Sequence, residues 1–535
     1  MRRAARVSAV SFLAVSGLLC TSAAHATGVI EFPDNGSEQE GRGGAWVARA
    51  SDPLATFYNP AGLAGQQTRL TLQANISTQN TCFTRVKAQN DTTADGVSPG
   101  ASYPQVCQNG NWFPNPQLAF TYRLTDRIGL GLAILGPSAV GGVTWPDFQG
   151  NNPSPQRYLL ISSNVLLLTP TIGVGWEPLD GLRVGASFIA GTAPTIDFIN
   201  AAPALVDGTP SPATDDIRSE LKASAPFIPG FTLGTIWSPL ENLDVAGWYK
   251  YMAPVNATGD VTTITGFYSN PPNPIYGDTK LPNCNNPALS ATNPCGSGNN
   301  AKVTLPLPME AKIGVRFHMP RSGAAVNARL RDPIAQDLFD IEANFTWAND
   351  SAVNALQLRF PGTAGGLGTI PANPGITTSA VLPPNADVTH GFKDVFGVRL
   401  GGDYNILPDQ LALRAGGFFE SAAAVQQYQN IDFDAASRFG VALGGTYRFR
   451  IGNHPLDLMA GYGHVFFATL SNTNPSAPGL AGLTGEVCPG GAGNRVPNSN
   501  QCTQGNQQYR TPWAVNLGTI TSSIDVINVG ASFGF

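Results

Sequence analysis

The residues able to do chemistry do not converge on a reaction centre. Beyond the N-terminal leader, the histidines are His318, His390, His454 and His464. None stands beside a nucleophile motif and Gly-x-Ser-x-Gly is absent, so no Ser/His/Asp set points to a hydrolase. No enzyme activity is expected. The cysteines fall into three local pairs: Cys82 with Cys107, Cys284 with Cys295, and Cys488 with Cys502. Metal sites need several donors brought together at characteristic spacings, and no Cys-x-x-Cys occurs, so neither a metal nor another cofactor is expected. Each pair lies inside one segment rich in Asn, Pro and Gly, which favours a loop-closing disulfide within each segment.

These residues must be held by something, and the ends of the chain say what. Arg2, Arg3 and Arg6 precede an apolar run from Val7 to Leu19 and a small-x-small site at Ala24-His25-Ala26. That pattern reads as a secretory signal peptide over residues 1–26. Cys20 raises a lipoprotein alternative, which Leu19 before it disfavours. Loss of the three leader arginines would take the formal charge from −5 to −8. An acidic chain is not expected to bind nucleic acid, because phosphate contacts need a basic surface. Charged residues make up only 13% of the chain, too few for an ordinary soluble surface, yet no later run is long enough for a spanning helix. The most apolar stretch, Val165 to Gly175, is broken by Pro170. A secreted, weakly charged chain without helical spans is a large soluble β protein or a membrane β-barrel. The C-terminus favours the barrel. Ile527, Val529, Ala531, Phe533 and Phe535 alternate with Asn528, Gly530, Ser532 and Gly534, a strand with lipid on one face and a polar lumen on the other.

Alternation recurs down the chain and predicts an all-β fold, a 14-stranded antiparallel transmembrane barrel over residues 67–535. The strands lie near 68–80, 116–124, 128–148, 157–176, 182–200, 226–237, 243–263, 302–319, 338–350, 392–405, 411–420, 434–449, 456–470 and 517–535. Links after strands 2, 4, 6, 10 and 12 are tight, whereas those after odd strands are mostly long, as short periplasmic turns and long external loops require. The link 320–337 is the misfit, long on the short side. Tyr122, Trp176, Trp237, Phe317, Tyr404, Tyr447 and Phe535 close the downward strands at one level, as an aromatic girdle would.

Residues 27–66 do not alternate. Small residues dominate from Gly41 to Ala50, Ser51 or Asp52 is a candidate helix N-cap, and Phe57-Tyr58-Asn59-Pro60-Ala61-Gly62-Leu63 follows. Close packing of this kind suits a plug in the barrel mouth. The segment resembles the hatch signature of the FadL/TodX family of outer-membrane transporters for hydrophobic compounds, with Asn59-Pro60-Ala61 at its centre. Weaker echoes are Gly136-Pro137 in strand 3, Arg157-Tyr158 opening strand 4, and Gly518-Thr519 before the last strand.

The resemblance implies uptake of long-chain fatty acids or aromatic hydrocarbons by passive diffusion, with hatch movement and lateral release into the bilayer through a kink at Gly136-Pro137. Asn59-Pro60-Ala61 is then expected in the lumen near that kink. The alternation turns Arg123, Arg183, Lys312, Arg316, Arg399, Arg414 and Arg448 inward, with Asp340, Glu342, Asp403, Glu420 and Asp457 as partners. Mutual pairing of these charges, fixing the plug, is the favoured reading; if any holds a ligand carboxylate, Arg183 and Arg414, whose partners are least obvious, are the candidates. Partners expected are a hydrophobic ligand, outer-membrane lipid and lipopolysaccharide, and the barrel-assembly machinery through the C-terminal strand, for a protein acting as a monomer. A surface adhesin with stapled loops is the alternative. Mass mapping without reduction is expected to find the three within-loop bridges; a bridge between different loops would remove this support for the topology.

Overall fold

A chain whose side chains alternate between apolar and polar buries both faces only where lipid lies on one side and a filled lumen on the other. The computed structural model describes residues 34–91, 93, 95–136, 142–202, 205–206, 209–210, 216–268, 275–277, 301–321, 331–359, 369–370, 380–381, 385–473 and 513–535. β1 (Arg69–Arg85) and β2 (Trp112–Arg123) lead into β3, made of Ile128–Ile134 and Gly142–Thr144. β4 comprises Ser162–Leu168 and Thr171–Leu179; β5 (Leu182–Ala202) and β6 (Ile217–Leu240) follow. β7 joins Leu243–Met252 to Val255–Thr265, β8 joins Ala301–Leu305 to Glu310–Pro320, and β9 joins Asp337–Ala348 to Ala355–Arg359. β10 is Asn385–Thr389 with Val395–Leu407, and β11 is Leu411–Glu420. β12 (Arg438–Ile451), β13 (His454–Phe467) and β14 (Gly518–Gly534) complete the wall. Each strand pairs antiparallel with the next, and β14 returns to β1 from Arg69↔Gly534 to Arg85↔Gly518. The result is a closed barrel of fourteen strands, in which the wall satisfies its own backbone groups.

The faces are inverted relative to a water-soluble barrel. Leu72, Leu132, Ile172, Leu233, Ile313, Val398 and Leu443 project outward and exposed, while Gln73, Asn75, Gln117, Lys312, Arg316 and Arg399 are buried inside. Outward apolar area has a solvent only in hydrocarbon, where its transfer is favourable by roughly 25 cal/mol per Å². Tyr122, Trp176, Trp237, Tyr404, Tyr447 and Phe535 are exposed at the short-turn end, and Phe317 there packs beside Phe339 with ring centroids 6.2 Å apart.

Several boundaries differ from the sequence reading, two of them around the mouth. Arg157-Tyr158 lies before β4, not on it. The Arg157 guanidinium stacks 4.2 Å from the Tyr158 ring and donates to Asp216 at 2.7 Å, which folds this stretch over the mouth. β6 starts at Ile217, nine residues before the expected 226, because β5 also runs on and pairs with it to Ala202↔Ile217. Gly518-Thr519 opens β14 itself. Cys82 and Cys107 form a disulfide. Cys284, Cys295, Cys488, Cys502, Pro137 and residues 1–33 lie outside the described residues.

Leu443 is 64% exposed on the outer face, whereas a side chain on Gly444 would point inward onto Arg414. Leu443→Arg is expected to lower folding stability in lipid vesicles by about 2–4 kcal/mol, while Phe449→Arg, near the headgroups, should cost about 0–1 kcal/mol. Equilibrium denaturant titration of the two variants compares them; equal costs would contradict this depth assignment.

Candidate functional site

The described part of the N-terminal segment, 34–66, fills the lumen at the short-turn end. Its helices are single turns, α1 (Ser37–Gly41) and α2 (Ala55–Tyr58), followed by a 3-10 turn at Pro60–Leu63. Helices this short do not persist alone in water. The wall holds them.

Charge supplies the main attachment. Arg42 reaches Asp340 on β9 and Asp403 on β10, both at 2.6 Å. Arg49 meets the same two carboxylates at 2.6 and 3.1 Å. Arg316 on β8 adds a further contact to Asp340 at 2.8 Å. Glu342 accepts from the backbone N–H groups of Ala48 and Arg49 at 2.8 and 3.0 Å. Asp34 binds Lys312 at 3.1 Å and also Arg399, which in turn holds Glu420. These groups are buried, so each charge needs its partner.

Backbone proximity supplies the second attachment. Gly129, Gly175, Gly185 and Gly234 stand opposite one another on β3, β4, β5 and β6. A Cβ on any of them would collide with the stretch from Asn59 to Ala64. Four strands thus present bare backbone, in one transverse row, to the turn that carries Asn59-Pro60-Ala61. Within the turn, Asn59 Nδ2 donates to the Val47 carbonyl at 2.7 Å and Asn59 Oδ1 accepts from Ala61 N at 3.2 Å. Phe57 is anchored by Trp248 Nε1 donating to its carbonyl at 3.1 Å, and the Tyr58 hydroxyl accepts from Asn35 N at 2.8 Å. Asp52, rather than capping α2, accepts from Leu54 N at 2.7 Å.

Asn59-Pro60-Ala61 is therefore not beside Gly136, as the sequence suggested. The residue there is Asn35, whose Nδ2 donates to the Gly136 carbonyl at 2.7 Å alongside Asn115 Nδ2 at 2.7 Å. That carbonyl points into the lumen because β3 leaves its ladder here. Pairing of β2 with β3 stops at Leu118↔Ile134, although β2 stays paired with β1 up to Thr78↔Trp112. Opposite the break, β4 is itself interrupted at Thr169-Pro170.

Above the inserted segment is a cavity of about 130 Å³. On β1, Gln73 and Asn75 touch the segment, and the next inward residues, Ser77 and Gln79, line the cavity. Val165, Leu167, Ile196, Val255, Val303 and Leu356 form its apolar side, and Asn111, Phe113 and Val143 border it at the break in β3. Over the mouth, Trp145, Tyr158, Tyr268 and Trp513 belong to a separate buried cluster. Asp216 ties it down by accepting from Arg157 and from the Tyr158 hydroxyl at 2.9 Å; burial pushes its carboxyl up to about 6, with Arg157 pulling the other way.

Arg183 and Arg414 do not line the cavity. Arg414 is fully buried, 3.3 Å from Asp403, with Nη2 donating to Thr446 at 2.5 Å. Arg183 lies 3.8 Å from Asp244. Both belong to the ion network around the inserted segment. Arg438 on β12 lines the cavity instead. The sequence reading did not place it among the inward charges, although the strand read near 434–449 contains it; the structure starts β12 at Arg438.

The family model for outer membrane protein transport proteins (OMPP1/FadL/TodX) matches residues 17–488. The chain belongs to this family. A Pseudomonas aeruginosa FadL homologue superposes with a TM-score of 0.62 at 17% identity, covering 96% of this chain and 100% of the other. The Ralstonia pickettii toluene transporter TbuX gives 0.53 at 13% identity over 94% and 98%. The Pseudomonas putida toluene transporter TodX gives 0.53 at 12% over 95% and 99%. At such identities these structures speak for the fold. No curated protein sequence matches the chain. The OMPP1/FadL/TodX assignment makes it an outer-membrane transport barrel.

Gly185→Val should wedge the Pro60 turn off this wall at a cost of about 1–3 kcal/mol, with faster hydrogen exchange over residues 34–66 and an intact barrel. Ala186→Val, on the outer face of the same strand, should change neither. Equal exchange in the two variants would mean that the glycine row does not seat the segment.

Proposed function

We propose that this protein admits hydrophobic small molecules through the outer membrane, with residues 27–66 as a hatch whose described part, 34–66, lies beneath the ligand cavity. The observation that carries the reading is the apolar cavity itself, enclosed between the inserted segment and the loop cluster and bordered by the broken β3. A water-filled pore offers an apolar solute no favourable path, whereas an apolar chamber opening towards lipid lets it exchange one nonaqueous surrounding for another. The interruption of the β2–β3 ladder near Gly136 supports lateral release at that point. Asn35 and Asn115, which grip the Gly136 carbonyl, link the hatch to that opening. The toluene channels among the similar structures favour apolar cargo of this kind. Outer-membrane lipid surrounds the belt, β14 offers the assembly machinery its terminal strand, and the closed wall suits a monomer.

Deleting residues 28–66 is expected to abolish selective uptake of hydrophobic compounds by cells, at unchanged surface expression, and to let small polar solutes leak. Uptake assays with toluene and with a long-chain fatty acid, alongside a sugar-permeation assay, test this. Unaltered uptake of both in the deletion variant would sink the hatch reading.

A further inference from the structure

The single turn α1 carries two acids, Glu38 and Glu40, which are two positions apart and so point to different sides. Both are buried. Their surroundings differ. Glu38 lies 3.6 Å from Arg49 and 3.8 Å from Arg414, and it accepts from Trp46 Nε1 at 3.1 Å and from the Ser51 hydroxyl at 3.0 Å. Burial works against its charge, yet those cations hold its carboxyl down to about 2. Glu40 faces the wall instead, with Oε1 so near Gly463 on β13 that a Cβ there would stand 2.5 Å away. Among the described residues no cation pairs with Glu40 and no donor bonds its carboxyl.

The charged groups around Glu40 are committed elsewhere. They are Asp34 from the segment itself, Arg399 from β10, Glu420 and Arg414 from β11, and Arg438 from β12. Arg399 is divided between Asp34 and Glu420, Arg438 is bound to Glu420, and Arg414 is turned to Asp403 and Glu38. β1 and β14 meet α1 with Gln73 and Gly530, and Asp457 on β13 is tied to Arg69 and Arg448. Burial and then Asp34 push the Glu40 carboxyl up to about 8; Glu420 adds to the push and Arg399 opposes it.

We propose that the inserted segment seats with Glu40 protonated, so that seating takes up a proton and an alkaline medium loosens the plug. A buried carboxylate with no cation of its own is unfavourable, whereas the neutral acid fits the same space. Exposed to water, a glutamate carboxyl has its ordinary value of about 4.3. Above that pH the unseated segment has lost the proton that the seated one keeps. The seating contributed by Glu40 is therefore complete at low pH and is lost progressively up to about pH 8, by at most about tenfold per pH unit for one proton, and then levels off. The effect on uptake rests on the hatch reading given above; the proton linkage does not.

Hydrogen exchange over residues 34–66 of the detergent-solubilised full-length protein, from about pH 5 to about pH 9, tests this against Glu40→Gln, which has nearly the same shape and stays neutral throughout. The ratio of the two rates at each pH cancels the base catalysis of exchange, and with it the titration of Asp52, which burial and then Glu38 push up to about 7. Wild type over variant should be near unity at about pH 5 and rise at least about tenfold by about pH 8. A ratio that stays flat overturns the proposal. Should Glu40→Gln fail to fold, infrared spectroscopy of Asp52→Asn decides: a protonated-carboxyl band surviving above about pH 7 is expected, and its absence there overturns the proposal. Toluene uptake by cells, measured over the same range, should rise with pH in wild type relative to Glu40→Gln. Linked exchange with an unchanging uptake ratio would leave the proton linkage standing and sink the hatch reading.

Discussion

Asp340 and Asp403 sit side by side on adjacent strands, buried in the wall, where two carboxylates close together need cations beside them. Arg42 and Arg49 provide two, both from the segment inside the barrel. The wall and its contents are therefore not independently satisfied structures. Removing one member of such a buried set typically costs about 3–5 kcal/mol, because what remains is a charge without a partner. The seating of the Asn59 turn, the grip of Asn35 on Gly136 and the floor of the cavity all follow from where these four side chains hold the segment.

The lumen is thereby divided by level rather than by domain. Below, polar and charged wall residues are matched by the segment. Above, from Ser77 and Phe113 upward, the wall on the β4 to β9 side turns apolar and encloses a space. An ion network is a poor place to receive an apolar solute, and an apolar chamber is a poor place to seat a charged plug. Stacking the two keeps each chemistry in its own medium. The break in β3 falls at the boundary between them, where a movement of the segment and an opening of the wall involve the same carbonyl.

Strand number, closure, face assignment and the girdle were legible because side-chain alternation is a two-residue signal, readable without knowing any partner. The site was less legible because its partners are distant. Arg414 looked available for a ligand until Asp403 and Thr446 filled its surroundings, and Asp403 is itself shared with Arg42 from the far end of the chain. Arg42 and Arg49 were overlooked among small residues. The row of Gly129, Gly175, Gly185 and Gly234 depends on cross-strand register, which spacing along one strand does not reveal. Tyr158 was placed on a strand because the apolar residues after it continue the alternation; the cation stacked on its ring is what turns the chain there.

The seam of the barrel joins its first strand to its last, and this sets an order of events during assembly. The segment that will lie inside leaves the export channel before any wall exists, and its partners follow 298 and 361 residues later, at Asp340 and Asp403. Contacts so far apart in the chain carry a large loop-closure cost and form slowly. Until β14 zips onto β1, the arginines and the rings of Phe57 and Tyr58 have only water or a chaperone to cover them. Enclosure is then a terminal event, completed when the last seventeen-residue strand closes the wall around a passenger that was synthesised first.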